Sequence, residues 1–279
     1  NTETEVVIKE GLKINRISFE DGPIVISKNG VDKIIEAFDT YDGISELYIS
    51  GEGGGIRGSL ISTLYMIFFT LLFALPIGIF TAIYLNEYAK KGMITNQLRR
   101  LIEMLTGVPS IIFGMVGLIV FIPLTSVIGL EGRNIIAASL TLTVIILPTI
   151  IRSTEESLKV IPNDLRQASL ALGANSTQTT FKVVLPNALP GILTATLLGI
   201  GRVIGESAAL IFVMGTVISD YVSIEGSSTS LAVQIWSVMS GEVPNFELAS
   251  AISLIILAVV LILNLSVKFI TYRLSKAWH

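Results

Sequence analysis

Five long stretches of this 279-residue chain are almost free of charge, at about 58–85, 101–124, 134–151, 187–217 and 248–270. An apolar run of about 20 residues is the length an α-helix needs to cross the hydrocarbon core of a bilayer. Each run is apolar on every side, so helical period is silent about it and length decides. Composition agrees: 51% of residues are hydrophobic and 15% are charged, where a soluble domain carries about 25% charge. The sequence predicts an all-α integral membrane protein, a polytopic helical bundle with five spans in view. There is no Cys, and the one His is His279, which removes disulfides, thiolate chemistry and Cys/His zinc sites.

The connecting segments set the orientation. Lys90, Lys91, Arg99 and Arg100 fall in 86–100, and Arg152, Lys159, Arg166 and Lys182 fall in 152–186. Lys268, Arg273 and Lys276 cluster at the C-terminal end, while 125–133 holds only Arg133 and 218–247 holds no Lys or Arg. The positive-inside rule places the first three groups in the cytoplasm and the other two segments outside. Tyr84, Asn86, Glu87 and Tyr88 then mark the inner interface. Segment 1–57, with 11 acidic and 6 basic residues, is external. Strands are expected within Val6–Ile17 and a short amphipathic helix at Val31–Tyr41. An external segment of this length, in a chain that opens on Asn, leads us to expect a sixth span upstream of Asn1. The organisation expected is an external segment 1–57, a membrane domain 58–272 and a cytoplasmic tail 273–279.

A polar island, Pro162–Pro186, sits between two spans on the cytoplasmic side. Pro162, Asn163 and Asp164 supply a helix start, since Pro is tolerated early and Asn or Asp can cap. Gly173 permits a left-handed turn that other residues resist. Asn175-Ser176 offers a second cap, and Leu185-Pro186 closes the island. The spacing predicts helix–Gly–helix, a stiff surface for a partner.

Two charges lie inside the fourth span, where a charged side chain at a helix centre costs about 2.5–3.5 kcal/mol on insertion scales. Arg202 and Glu206 are four residues apart, so a continuous helix puts them on one face, able to pair. Gly201 and Gly205 beside them admit a close neighbouring helix. One reading gives Arg202 to a passing anion, whose oxygens suit a guanidinium fork, with Glu206 holding it otherwise. The other makes the pair a structural ion pair.

The island resembles the EAA loop of ATP-binding-cassette importer permeases, whose pattern is Glu-Ala-Ala, three residues, Gly, nine residues, Ile, one residue, Leu-Pro. Here Gln167, Ala168 and Ser169 occupy the first three positions, and Gly173, Val183, Leu185 and Pro186 follow at the required spacing. Gln167 replaces the acidic residue. The stretches GGIRGSLISTLYM, LPIGIFTAIYLNEYA, GVPSIIFGMVGL, LPTIIRSTEESLKVIPNDLRQASLALGA and LPGILTATLLGIGRVIGESAAL are similar to the phosphate-specific permeases, the PstA-type subunit more than its PstC-type partner. That resemblance implies a transport subunit that moves inorganic phosphate inward across a bacterial or archaeal cell membrane. It assigns the loop around Gln167, Ala168, Ser169, Gly173, Leu185 and Pro186 to ATPase docking, and Arg152, Arg202 and Glu206 to the substrate pathway.

The chain has no G-x-x-x-x-G-K-[ST] phosphate loop. ATP would be bound by a partner, and this chain needs no cofactor of its own. The partners implied are a homologous permease subunit forming a heterodimer, two ATP-binding subunits, an external phosphate-binding protein and membrane lipid, with no nucleic acid. No paired Asp, Ser–His or metal cluster lies in the spans, so no catalytic or metal site is assigned. Other oxyanions such as sulfate or molybdate, or an ATP-independent anion channel or carrier, are the alternatives; a carrier has no use for an EAA loop.

Overall fold

The computed structural model describes residues 12–19, 25–26, 44–51, 56–90, 92–218, 222–241 and 244–277. The chain divides into two compact units, Asn1–Gly55 and Ile56–His279. The first contains an antiparallel sheet of β1 (Leu12–Phe19), β2 (Val25–Ile26) and β3 (Ile44–Gly51), in the order β2-β1-β3. Along β1 the apolar residues fall at 12 and 14, then at 17 and 19. The break in that alternation is where the β1–β3 register shifts, between Ile14 and Arg16. An extra residue at Asn15 restores the period-two pattern, as a β-bulge does. The strand expectation holds from Leu12 onward; its earlier part and the helix expected at Val31–Tyr41 lie outside the described residues.

The second unit is helical. α1 (Ile56–Tyr88), α4 (Ile135–Val160) and α6 (Ser176–Gly205) are long and apolar enough to cross a membrane, as is the Phe246–Ser266 part of α9 (Phe246–Ala277). α2 (Met93–Thr106) and α3 (Ser110–Ser126) meet at 100° and make a fifth crossing if they count as one. Three shorter helices complete the described unit: α5 (Asn163–Ala171), α7 (Leu210–Val213) and α8 (Leu231–Met239).

α4 is the axis of the bundle, packed between α1 and α6. Ile135, Leu142, Ile146, Ile150 and Leu158 along it are fully buried. Three of its buried hydroxyls are satisfied within the helix: Ser139, Thr141 and Thr143 donate to the carbonyls of Ile135, Ala137 and Ser139, each at 2.8 Å, whereas Thr154 Oγ1 is buried without a partner among the described residues. This back-bonding lets hydroxyls sit in an apolar interior without orphaned donors. The α1–α4 seam is tight at Gly78, where a Cβ would lie 2.6 Å from the Ile150 Cγ2.

The structure moves three of the expected span limits. The second span, expected at 101–124, is interrupted at Gly107-Val108-Pro109, because Pro109 lacks an N–H and pushes Val108 away from helical geometry. α2 is the amphipathic arm of the bend and α3 the apolar one, and only together do they have the length of a crossing. The third span, expected to end at 151, continues as helix to Val160, so 152–160 is a charged extension of α4. The fourth, expected to reach 217, stops at Gly205. The chain beyond it is held against α3: a Cβ on Gly114 would lie 2.7 Å from the Ala209 carbonyl oxygen. Irregular backbone among spans survives where protein covers it, and Ala209, Leu210, Val213 and Met214 are fully buried.

Candidate functional site

The polar island folds by local rules. α5 starts directly after Pro162, which occupies the N-cap with no side-chain cap, so neither Asn163 nor Asp164 caps it as expected. At its other end Ala174 N–H donates to the Ser169 carbonyl at 3.2 Å and Gly173 N–H to that of Leu170 at 3.0 Å. Gly173 has φ +87°. These are the paired bonds of a Schellman turn, which needs a residue free to adopt positive φ. Asn175 then forms a reciprocal capping box with Gln178 and opens α6. Leu185-Pro186 does not end the island's second helix. α6 runs straight through it, after a π-helical turn at Thr180–Val184 that rearranges the backbone bonds just before the proline.

No residue of α5 is buried. Gln167 and Ala168 are exposed, and Leu172 just beyond the helix is 90% exposed. Ser169 Oγ lies 2.9 Å from Thr179 Oγ1, tying α5 to α6. Ala168, Ser169, Gly173 and Lys182 line an open cleft of about 530 Å³ between the two helices. Leu185 and Pro186 are half-buried at the root of the island. Of the expected docking residues, Ala168, Ser169 and Gly173 come together at this cleft; Gln167, Leu185 and Pro186 do not line it.

Ion pairs that the sequence reading missed fix this island to the bundle. Arg166 of α5 binds Glu87 with two bonds, 2.9 Å to Oε1 and 3.3 Å to Oε2. The same guanidinium donates to the carbonyls of Ile161 at 2.6 Å and Leu158 at 2.9 Å. Glu87 lies in the π-helical turn Tyr84–Tyr88 that ends α1. Arg99 of α2 binds Glu155 of α4 at 2.6 Å and donates to the Leu85 carbonyl at 2.9 Å. Lys159 approaches the same Glu155 carboxylate at 3.0 Å.

Arg152 projects from α4 into a groove beside α2, with a cavity of about 210 Å³ also lined by Arg99, Glu103, Glu155 and Lys159. Its partners are Glu103 at 3.0 Å and Glu156 at 3.4 Å. Both members of the Arg152–Glu103 pair are more than half exposed. Screening by water keeps such a pair weak and exchangeable.

Arg202 and Glu206 do not form the expected pair. α6 ends at Gly205, and Glu206 takes an extended backbone, φ −78° and ψ 125°. Its nearly buried carboxylate turns forward and accepts the Ala209 N–H at 3.2 Å, at the start of α7. Arg202 is exposed and has no hydrogen-bond or ion-pair partner among the described residues. It shares an open stripe of α6 with Thr194, Leu198 and Gly205. A Cβ added at Gly201 or Gly205 would meet nothing within 4 Å, so none of the described helices packs against either position. Among the described residues no group of three His, Cys, Asp or Glu side chains is placed to hold a metal ion.

Residues 74–279 match the family described as binding-protein-dependent transport system inner membrane component. A probable ABC transporter permease protein of Bacillus subtilis, YqgI, is 36% identical over 80% of this chain and 80% of its own. The phosphate transport system permease protein PstA 1 of Mycobacterium tuberculosis (strain H37Rv) is 32% identical over 80% of this chain and 71% of its own. PstA of Pasteurella multocida is 31% identical over 81% and 79%. A chain of the MetNI methionine ABC transporter, solved in inward-facing conformations, superposes with a TM-score of 0.58 at 25% identity, over 79% of this chain and 94% of that one. A match over most of its length, to a fold built from the same helices, makes this chain a member of the binding-protein-dependent transport system inner membrane component family.

Proposed function

We propose that the chain is the permease subunit of an ATP-driven importer of inorganic phosphate in a bacterial or archaeal inner membrane. The observation that carries this reading is α5: a helix with no buried residue, ending in a Schellman turn and tied to the bundle by one half-buried arginine. A helix so well built and so uncovered fits a partner's cleft, and its motif is the one importer permeases present to their ATPase. Its end of the bundle is then cytoplasmic, in keeping with the basic residues there. Two ATP-binding subunits, a second permease chain against the open stripe of α6 and an external binding protein complete the assembly.

Phosphate as cargo is supported by the similarity to the two PstA proteins and by two arginines available to an anion. Arg152 and Arg202 serve as stepping points; neither is caged, so each can release what it binds. Glu206 acts on the path through the backbone it caps rather than through Arg202. The test is uptake of radiolabelled phosphate by proteoliposomes holding the full transporter, with arsenate and sulfate as competitors. ATP-dependent uptake blocked by arsenate and not by sulfate is expected. Uptake that needs no ATPase, or that sulfate blocks equally, overturns the reading.

A further inference from the structure

Movement of α5 has three routes into the bundle. Two are the chain itself, back through Ile161-Pro162 into the end of α4 and forward through the Gly173 turn and the Asn175 capping box into α6, the helix of Arg202. The third runs through Arg166. Among the described residues every side-chain hydrogen bond from α5 to α1 or α4 comes from this one guanidinium, which reaches Glu87 and the carbonyls of Leu158 and Ile161. The two carbonyls lie at the C-terminal end of α4, where a cation is favoured; that of Leu158 also accepts the Ile161 N–H at 3.4 Å.

The fork is well suited to transmit displacement. A planar guanidinium with two bonds to one carboxylate fixes orientation as well as distance. The Arg166 and Glu87 side chains are 17% and 11% exposed, so water competes poorly for either. Arg99 extends the connection, joining α2 to Glu155 and to the Leu85 carbonyl of the same π-helical turn. The ends of α1, α2 and α4 are thus linked, and Arg166 adds α5 to them. Without it, α5 can pivot about Ile161-Pro162 and Gly173 while α1 stays behind.

We propose that Arg166 and Glu87 are the positioning pair of coupling, which makes α1 follow α5, and braces the α4–α5 joint, when a docked ATPase displaces α5. This rests on the ATPase-docking reading above. The test uses the full transporter in liposomes with R166K, R166Q and E87Q, measuring ATP hydrolysed and radiolabelled phosphate taken up per assembled complex. The variants are expected to assemble and hydrolyse ATP, with the ATP spent per phosphate rising about fivefold or more. R166K keeps the charge but cannot span Glu87 and two carbonyls together, so it carries the test if the glutamine variants do not assemble. An unchanged ratio in a complex that hydrolyses ATP overturns the pair while leaving docking intact. Loss of assembly in all three makes the pair merely structural and also overturns the proposal. A wild-type chain that binds no ATPase removes the docking reading, and the proposal with it.

Discussion

Arg202 is the residue whose place in the structure most changes what it can do. Held by Glu206 it would be a strut; exposed, in the last turn of α6 and without a hydrogen-bond or ion-pair partner among the described residues, its guanidinium faces outward from the helix. R202A removes no hydrogen bond or ion pair among the described residues, so its stability should change by less than about 0.5 kcal/mol. Phosphate uptake should nevertheless fall sharply at unchanged assembly. Thermal unfolding of the purified chain and uptake per assembled complex check the two halves. A large loss of stability would return Arg202 to a packing role. Sequence reasoning paired it with Glu206 because four-residue spacing puts both on one face only if the helix continues. In a run that is apolar all round, nothing periodic marks where a helix stops. Only Gly205 and the adjoining Glu206-Ser207 hinted at the break.

At the scale of elements, α2 offers a direct measurement. Ile94, Leu98, Leu101 and Leu105 form one exposed stripe, while Asn96, Arg100 and Glu103 lie on the opposite side of the helix. That division suits a helix lying along the acyl–headgroup boundary. The chain has no cysteine, so single cysteines can be introduced without background. A label at Ile94 should resist water-soluble quenchers and one at Arg100 should not; equal quenching would mean that α2 does not lie in the interface. The elements legible from the sequence are those governed by near neighbours, such as the Gly173 turn, the Asn175 cap and the length of α1. The ion pairs were not legible, because Arg166–Glu87, Arg99–Glu155 and Arg152–Glu103 join positions 79, 56 and 49 residues apart. Each arginine was visible as a positive-inside charge, but nothing local named its carboxylate.

For the whole molecule, the open stripe on α6 sets the expectation. A face that combines a cation with small residues and Leu198 is ill suited to lipid and well suited to another helix across a polar path. A single cysteine at Leu198 should cross-link to a neighbouring permease chain in the assembled transporter, whereas one at Leu254, exposed on α9, should not. Cross-linking at both positions, or at neither, would place the partner elsewhere. The bundle also separates its tasks by region. α4 and its neighbours form the tight centre, the ion pairs join one end, and α5 and the stripe on α6 stay uncovered by the described residues.

The stop at Gly205 has an electrostatic consequence. A helix C-terminus carries about half a negative elementary charge, and the Glu206 carboxylate stands beside it. Both oppose the field of the Arg202 guanidinium. On the proposed path an anion would therefore meet a shallower well at Arg202 than a lone guanidinium offers, and Gly205, which carries no charge itself, would set that depth by ending the helix where it does.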